Sequence, residues 1–126
     1  MKNIAIIGAG LSGLVAARQL EHTANVTIFE KSKGVGGRIA TRRSGPYSFD
    51  HGAQFFTPKT KLFKDFLQPF ILEGHVKRWD GNFAEIINRA ITLKRKWDDS
   101  PPHYVGAPSM NSFAKQVSVG VNIRHN

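Results

Sequence analysis

Three glycines stand at the spacing that phosphate binding requires. Gly8, Gly10 and Gly13 form the pattern G-x-G-x-x-G within the stretch GAGLSG. The first glycine permits a tight turn, the second lets the backbone approach a pyrophosphate, and the third allows a helix to pack closely against a strand. Backbone N–H groups at the start of that helix then face the phosphates. The pattern therefore predicts a dinucleotide site, provided that a strand precedes it and a helix follows.

The segments around the glycines supply those elements. Asn3–Ile7 reads NIAII, an apolar run typical of a strand buried on both faces of a parallel sheet. Apolar residues then recur at helical spacing until about His22, and Val26–Glu30 reads as a second strand. Glu30 ends this strand, where it can accept a hydrogen bond from a ribose 2′-hydroxyl and disfavour a 2′-phosphate. NAD and FAD both present ADP to such a site, so this pattern alone does not distinguish them.

The middle of the chain alternates loops with short elements. Residues 31–45 are rich in glycine and basic residues and predict a ligand-facing loop, and Tyr47–Phe49 predicts a short strand. Thr57–Pro58 is typical of a helix start, and Gly74 of a helix end. The apolar stripe of that helix consists of Leu62, Phe63, Phe66, Leu67 and Phe70.

The last third of the chain predicts strands and one more helix. VKRW and NFAEII read as strands joined in a hairpin around Asp80–Gly81, and residues 97–104 read as a loop because of their prolines. Met110, Phe113, Ala114 and Val117 share one helical face, and Gly120 ends that helix. A final strand is expected around Val121 and Ile123, and the chain looks like the first part of a longer fold.

Composition limits the classes of function. The 126 residues suit one modest domain, and the absence of cysteine excludes disulfides, thiolate metal sites and a cysteine nucleophile. The net charge of +9 favours an anionic ligand, yet only residues 41–43 and 94–96 form short basic clusters. A nucleic-acid binder would also need a stacking platform or a recognition helix. No apolar run reaches membrane-spanning length, so a soluble cytoplasmic protein is expected, with no nucleic-acid or membrane partner.

Two further stretches carry a family resemblance. GVGGR follows the acid-bearing strand, and DHGAQFF lies shortly after it. Together with IIGAGLSGL and FEK, they resemble the FAD-dependent amine oxidase superfamily. Through GGRIATRR, FDHGAQFFT and YVGAPSMNSFAKQV, the chain is most similar to the renalase-like branch. The resemblance implies an α/β fold, a Rossmann-like FAD-binding domain with a parallel sheet, incomplete in this chain and followed by the start of a substrate-domain β segment.

The resemblance also implies roles for individual residues toward FAD. Ser12 and the three glycines of the motif hold the pyrophosphate, and Glu30 with Lys31 holds the adenosine ribose and its surroundings. Arg38, after Gly37, contacts the pyrophosphate, and a guanidinium suits that role because it can bind two phosphate oxygens at once. Gln54 and Phe55 are expected near the flavin end.

No catalytic residue and no metal site is predicted. Asp50 and His51 are adjacent, so on an extended chain they point to opposite sides. We expect a structural role for Asp50 in fixing its loop, and a solvent or core position for His51.

Three functions remain open from the sequence. The resemblance implies an FAD-dependent oxidoreductase that takes hydride from a small molecule, such as a dihydro isomer of NAD(P), and passes the electrons to oxygen. The alternatives are a non-enzymatic or inactive nucleotide-binding fragment and an NAD-dependent dehydrogenase domain. Residues 1–74 are expected to bind FAD, residues 75–100 to begin a substrate domain, and residues 101–126 to return to the FAD domain. An exposed sheet edge is expected to permit self-association.

Overall fold

The computed structural model describes residues 1–126, and its elements alternate between strands and helices. Three helices and nine strands follow one another in the order β1 (Lys2–Ile7), α1 (Leu11–Leu20), β2 (Ala24–Glu30), β3 (Thr41–Ser44), β4 (Tyr47–Asp50), α2 (Lys61–Leu72), β5 (Val76–Arg78), β6 (Asn82–Ile87), β7 (Ala90–Lys96), β8 (Tyr104–Gly106), α3 (Met110–Val117) and β9 (Ile123–His125). A short 3-10 turn, Gly37–Ile39, lies between β2 and β3.

The central sheet is parallel, with the strand order β1-β2-β9. Lys2 pairs with Ala24 at one end of the β1–β2 ladder, and Ile7 pairs with Phe29 at the other. The carboxyl end of β9 joins the same edge, where His125 pairs with Glu30. The predicted Rossmann-like α/β fold with a parallel sheet is thereby confirmed.

One face of this sheet carries the core. Ile28 on β2 packs in a cluster with Leu14 of α1 and with Phe113 and Val117 of α3, all fully or almost fully buried. Burying such side chains contributes roughly 1.5–3 kcal/mol each. The helical face predicted for α3 is confirmed, because its buried residues include all four that the sequence pattern selected.

The other face of the sheet is open, so the prediction that the first strand is buried on both faces is wrong. Burial alternates along β1, and the Ile7 side chain is 83% exposed. The helices that contact β1 and β2 cover only the side on which Ile6 and Ile28 lie. The apolar run of β1 therefore belongs to a strand that is covered on one face only.

The start of α2 also differs from the prediction. The helix begins at Lys61, and its N-cap is Thr60, whose Oγ1 accepts a hydrogen bond from the Phe63 N–H at 3.2 Å. The predicted start at Thr57–Pro58 is wrong, since the helix begins about one turn later. Pro58 is buried in the segment that precedes the helix. The predicted end is confirmed, since Gly74 follows the helix with φ +79°.

The strands between residues 76 and 106 pair differently from the prediction. β5 pairs with β8, and β6 pairs with β7. The turn of the β6–β7 hairpin is Asn88–Arg89, with φ of 51° and 65°, which suits a two-residue hairpin turn. The prediction of a hairpin around Asp80–Gly81 is therefore wrong. The strand NFAEII pairs with β7, which follows it in the chain, and not with VKRW, which precedes it.

The loop after β2 contains more regular structure than expected. Beyond the 3-10 turn, β3 and β4 form an antiparallel hairpin in which Thr41 pairs with Asp50. None of the three helices is long and apolar enough to cross a membrane.

Candidate functional site

A cavity of about 660 Å³ opens at the carboxyl edge of the parallel sheet. The ends of all three strands, the glycine turn and the loop after β2 meet there. Its lining consists of Ile7, Gly8, Gly10, Phe29, Glu30, Lys31, Ser32, Gly37, Arg124, His125 and Asn126. This is the edge at which open α/β sheets bind ligands.

The three motif glycines each meet a different steric requirement. Gly8 has φ +97°, a conformation that favours glycine. A Cβ on Gly13 would lie 2.2 Å from the Gly8 carbonyl oxygen, so this position needs glycine for helix-to-strand packing. At Gly8 and Gly10, nothing lies within 4 Å of an added Cβ. The space beside these two backbones is open to the cavity and suits a ligand that approaches the main chain.

The first turn of α1 leaves its backbone donors available. Gly10 is the N-cap, and no side chain caps the helix. The first turn holds no acidic residue, and the exposed side chain of Ser12 lies in it. Unpaired N–H groups and the positive end of the helix dipole make this terminus suitable for a phosphate.

Glu30 is fixed by two backbone donors. Its Oε2 accepts a hydrogen bond from the Ala9 N–H at 2.6 Å, and its Oε1 accepts one from the Ser32 N–H at 2.8 Å. These bonds, the Ala9 bond first, hold the pKa of the Glu30 carboxyl below its usual value, against a smaller opposing effect of burial. Each carboxylate oxygen keeps a further acceptor position, so the group can still bind ribose hydroxyls.

The glycines of GVGGR pack against the glycine turn. The Gly36 N–H donates to the Ala9 carbonyl oxygen at 2.9 Å, and Gly36 has φ +121°. Gly37 has φ +55°, and a Cβ there would lie 3.2 Å from the Gly10 Cα. The loop after β2 therefore reaches the turn formed by residues 8–10 only because both positions are glycine.

The Arg38 side chain is exposed and does not line the cavity. Its backbone carbonyl accepts a hydrogen bond from the Ala53 N–H at 2.9 Å, and a Cβ on Gly52 would lie 2.1 Å from the same oxygen. The chain after Asp50 thus returns to the GVGGR loop. Contact between Arg38 and a pyrophosphate stays a prediction.

Gln54 and Phe55 lie apart from the cavity lining. Gln54 is exposed, and the Phe55 ring packs 4.8 Å from the His103 ring and 5.5 Å from the Trp97 ring. Trp79 completes this aromatic cluster at 5.9 Å from Phe55. A role for either residue near a flavin stays a prediction.

Asp50 has the structural role expected of it, although its partner was not foreseen. Its Oδ1 accepts hydrogen bonds from the Thr41 hydroxyl at 2.6 Å and from the Met110 N–H at 3.0 Å, at the start of α3. Thr41 Oγ1 in turn accepts one from the Asn111 N–H at 3.1 Å. His51 is exposed, as expected. No group of three or more His, Cys, Asp or Glu side chains lies close enough to hold a metal ion.

Sequence reasoning did not assign the end of β9 to the site. Arg124, His125 and Asn126 line the cavity, and the Arg124 guanidinium carbon lies 5.9 Å from the centre of the Phe29 ring. A signal was available, because a third parallel strand was expected around Ile123 and the carboxyl ends of parallel strands meet at one edge.

Comparisons with known proteins agree with this architecture. The family profile of the NAD(P)-binding Rossmann-like domain matches residues 6–70, more than half of the chain. The L-amino-acid oxidase of Sistrurus catenatus edwardsii is 36% identical over 73 residues, which are 57% of this chain and 14% of that protein. A 4,4′-diapophytoene desaturase of Staphylococcus haemolyticus is 46% identical over 50 residues, 39% of this chain and 10% of that protein.

A solved structure supports the same fold. A triple mutant of putrescine oxidase superposes with a TM-score of 0.52 at 24% identity, covering 77% of this chain and 21% of that chain. This chain therefore spans about a fifth or less of each of these three proteins. The renalase-like branch stays a prediction. The chain belongs to the family of NAD(P)-binding Rossmann-like domains.

Proposed function

We propose that this chain binds the ADP moiety of FAD in the cavity at the carboxyl edge of the sheet, as part of an FAD-dependent oxidoreductase. The observation that carries the proposal is the convergence of Gly8, Gly10, Glu30 and Gly37 on one cavity of about 660 Å³. Cavities of this size are typical of sites for small molecules and cofactors.

The residues present fit the ADP moiety. Open space beside Gly8 and Gly10 matches the backbone approach of a pyrophosphate, and the uncapped N-terminus of α1 supplies donors for it. The Glu30 carboxylate, which the Ala9 amide holds, is proposed to bind the ribose hydroxyls. Lys31 lines the same cavity and adds a positive charge. Exposed Arg38, which follows Gly37 in the loop, is proposed as a further pyrophosphate ligand.

When bound, FAD supplies a ring that accepts hydride from a substrate. The names of the relatives, an amino-acid oxidase and a desaturase, support oxidation of a small molecule. We propose a renalase-like substrate, a dihydro isomer of NAD(P), with oxygen as the electron acceptor, on the resemblance carried by GGRIATRR and FDHGAQFFT. We further propose that the chain divides into an FAD-binding part (residues 1–74), the start of a substrate domain (75–100) and a return to the FAD domain (101–126). A cytoplasmic location is proposed as well. β1 is an edge strand of the parallel sheet, and self-association through that edge is also proposed.

A second candidate is a nucleotide-binding module without catalysis. It rests on the glycine turn and the Glu30 carboxylate, which suit the ADP part of a nucleotide and need no catalytic step for binding. An NAD-dependent dehydrogenase domain is the weaker alternative, because it assigns no ligand-binding role to Arg38 of GVGGR or to Gln54 and Phe55 of DHGAQFF.

The experiment compares two glycines in titrations of the purified chain with FAD, ADP and NAD. At Gly10 and Gly34 alike, nothing lies within 4 Å of an added Cβ and neither residue has positive φ, but only Gly10 lines the cavity. Gly10→Ala is expected to weaken FAD and ADP binding at least about tenfold, since the methyl group occupies the space of a phosphate. Gly34→Ala is expected to leave both affinities unchanged.

The absorption spectrum then separates the candidates. Bands of oxidised flavin that survive gel filtration support the oxidoreductase, whereas ADP binding without flavin uptake favours the non-catalytic module. Binding of NAD without flavin favours the dehydrogenase domain. Equal affinities of the two alanine variants and the parent chain would contradict the placement of the phosphates.

A further inference from the structure

The end of β9 touches the segment that carries Glu30. Glu30 and His125 pair in register on β2 and β9, and both line the cavity. The Asn126 N–H donates a hydrogen bond to the Glu30 carbonyl oxygen at 3.1 Å. The backbone of Glu30 is thus held by β9 directly after the ladder ends.

The His125 side chain extends this contact to the next turn. Its Nδ1 lies 2.8 Å from the Ser32 carbonyl oxygen. A carbonyl oxygen only accepts, so Nδ1 carries the proton and donates. Both the Nδ1–H tautomer and the imidazolium ion can make this bond, so it persists whether the ring is neutral or charged.

Ser32 is therefore held at both of its backbone polar groups. Its carbonyl accepts from His125, and its N–H donates to Glu30 Oε1 at 2.8 Å. The other carboxylate oxygen accepts from the Ala9 N–H at 2.6 Å. The orientation of the carboxylate thus depends on where the Ser32 amide lies, and His125 fixes that position.

We propose that His125 is a positioning residue of the nucleotide site, which orients the Glu30 carboxylate toward the ribose hydroxyls by holding Ser32. The proposal rests on the proposed binding of ADP at this cavity. A carboxylate that already occupies its binding orientation loses little conformational freedom when a hydroxyl arrives. Without the His125 bond, Ser32 keeps only its bond to Glu30, so Oε1 is held less firmly while Ala9 still holds Oε2.

Asn122 provides a matched control on the same strand segment. Its Nδ2 donates to Thr27 Oγ1 at 2.9 Å, so it too links the β9 segment to β2 by one side-chain hydrogen bond. This bond does not involve the turn at Ser32, and Asn122 does not line the cavity. An effect that arises only from weaker attachment of β9 must appear in Asn122→Ala as well.

The test is calorimetric titration of the full chain with ADP and 2′-deoxy-ADP, since their affinity ratio reports recognition of the 2′-hydroxyl. We expect the parent chain to bind ADP about tenfold more tightly, the value of one hydrogen bond to a charged group. In His125→Ala the ratio is expected to fall to about threefold or less. In His125→Asn, whose amide can donate at the position of Nδ1, the ratio is expected to be largely restored.

The controls separate the possible failures. Asn122→Ala is expected to keep the parent ratio of ADP to 2′-deoxy-ADP affinity. If this ratio falls equally in Asn122→Ala and His125→Ala, His125 acts only by attaching β9 to β2. An unchanged ratio in His125→Ala would overturn the proposal while leaving ADP binding intact. If the parent chain binds neither nucleotide, the proposed function itself fails, and this inference fails with it.

Discussion

Gly37→Ala is expected to disturb the nucleotide site more than the fold. Gly37 has φ +55°, and an alanine in this left-handed conformation costs roughly 1 kcal/mol of stability. Its Cβ would also lie 3.2 Å from the Gly10 Cα, a contact tighter than nine in ten that real Cβ atoms make. Either the GVGGR loop or the glycine turn must therefore shift by a few tenths of an ångström.

Gly45→Ala separates the two effects. Gly45 has φ +57°, so the backbone strain is matched, but nothing lies within 4 Å of its added Cβ. Both variants are expected to lower the melting temperature by about 4 °C, the shift that corresponds to roughly 1 kcal/mol in a chain of this size. Only Gly37→Ala is expected to weaken ADP binding, by about tenfold, because only it displaces backbone donors from the phosphates.

Thermal denaturation followed by circular dichroism, together with calorimetric ADP titration, measures both quantities. Equal changes of ADP affinity in the two variants, or parental ADP affinity in Gly37→Ala, would show that the close approach of Gly37 to Gly10 does not serve ADP binding. A much larger loss of stability in Gly37→Ala than in Gly45→Ala would show that the close approach to Gly10 serves the fold rather than the ligand.

Three further predictions concern stability. Because the pKa of Glu30 is lowered in the folded chain, its ionised form adds stability that is present above the unfolded pKa, roughly pH 4.3, and is lost as pH falls through the folded value. Between pH 7 and pH 3 the melting temperature should therefore fall less steeply in Glu30→Gln than in the parent chain. Equal slopes in the two chains would disprove this. Asp50→Ala is expected to lower the unfolding free energy in urea by about 1 kcal/mol through loss of the Met110 amide bond, and Asp50→Asn by less. Arg89→Gly should raise the melting temperature by a few degrees, since Arg89 has φ 65°; a decrease would show that its side chain matters more than its backbone.

The first strand, the helix and the second strand were predictable because local rules agree there. The glycines at positions 8, 10 and 13 serve the turn and the helix packing at once, and Leu14 of the predicted apolar pattern is buried in α1. Glu30 was predictable as a residue of the cavity because β2 and the glycine turn are close in sequence, and its Oε2 accepts a hydrogen bond from the Ala9 N–H of that turn.

Features that depend on distant segments were not predictable. His125 contacts Ser32 across 93 positions of the chain, and Asp50 bonds to Met110 across 60. The hairpin turn was missed because Asn88–Arg89 lacks the glycine that usually marks positive φ. The burial of only one face of β1 was not predictable either, since the unbroken apolar run at residues 4–7 fits one covered face as well as two.

We propose that the glycine turn, Glu30 and the GVGGR loop bind the ADP moiety of FAD. An equilibrium titration of the purified chain with FAD, followed by flavin fluorescence and with ADP added as competitor, measures this binding. We expect saturable binding of one FAD per chain, displacement by ADP, and an affinity for both that is at least about tenfold weaker in Gly10→Ala but unchanged in Gly34→Ala. Flavin that binds but is not displaced by ADP, or a folded chain that binds neither, would contradict it.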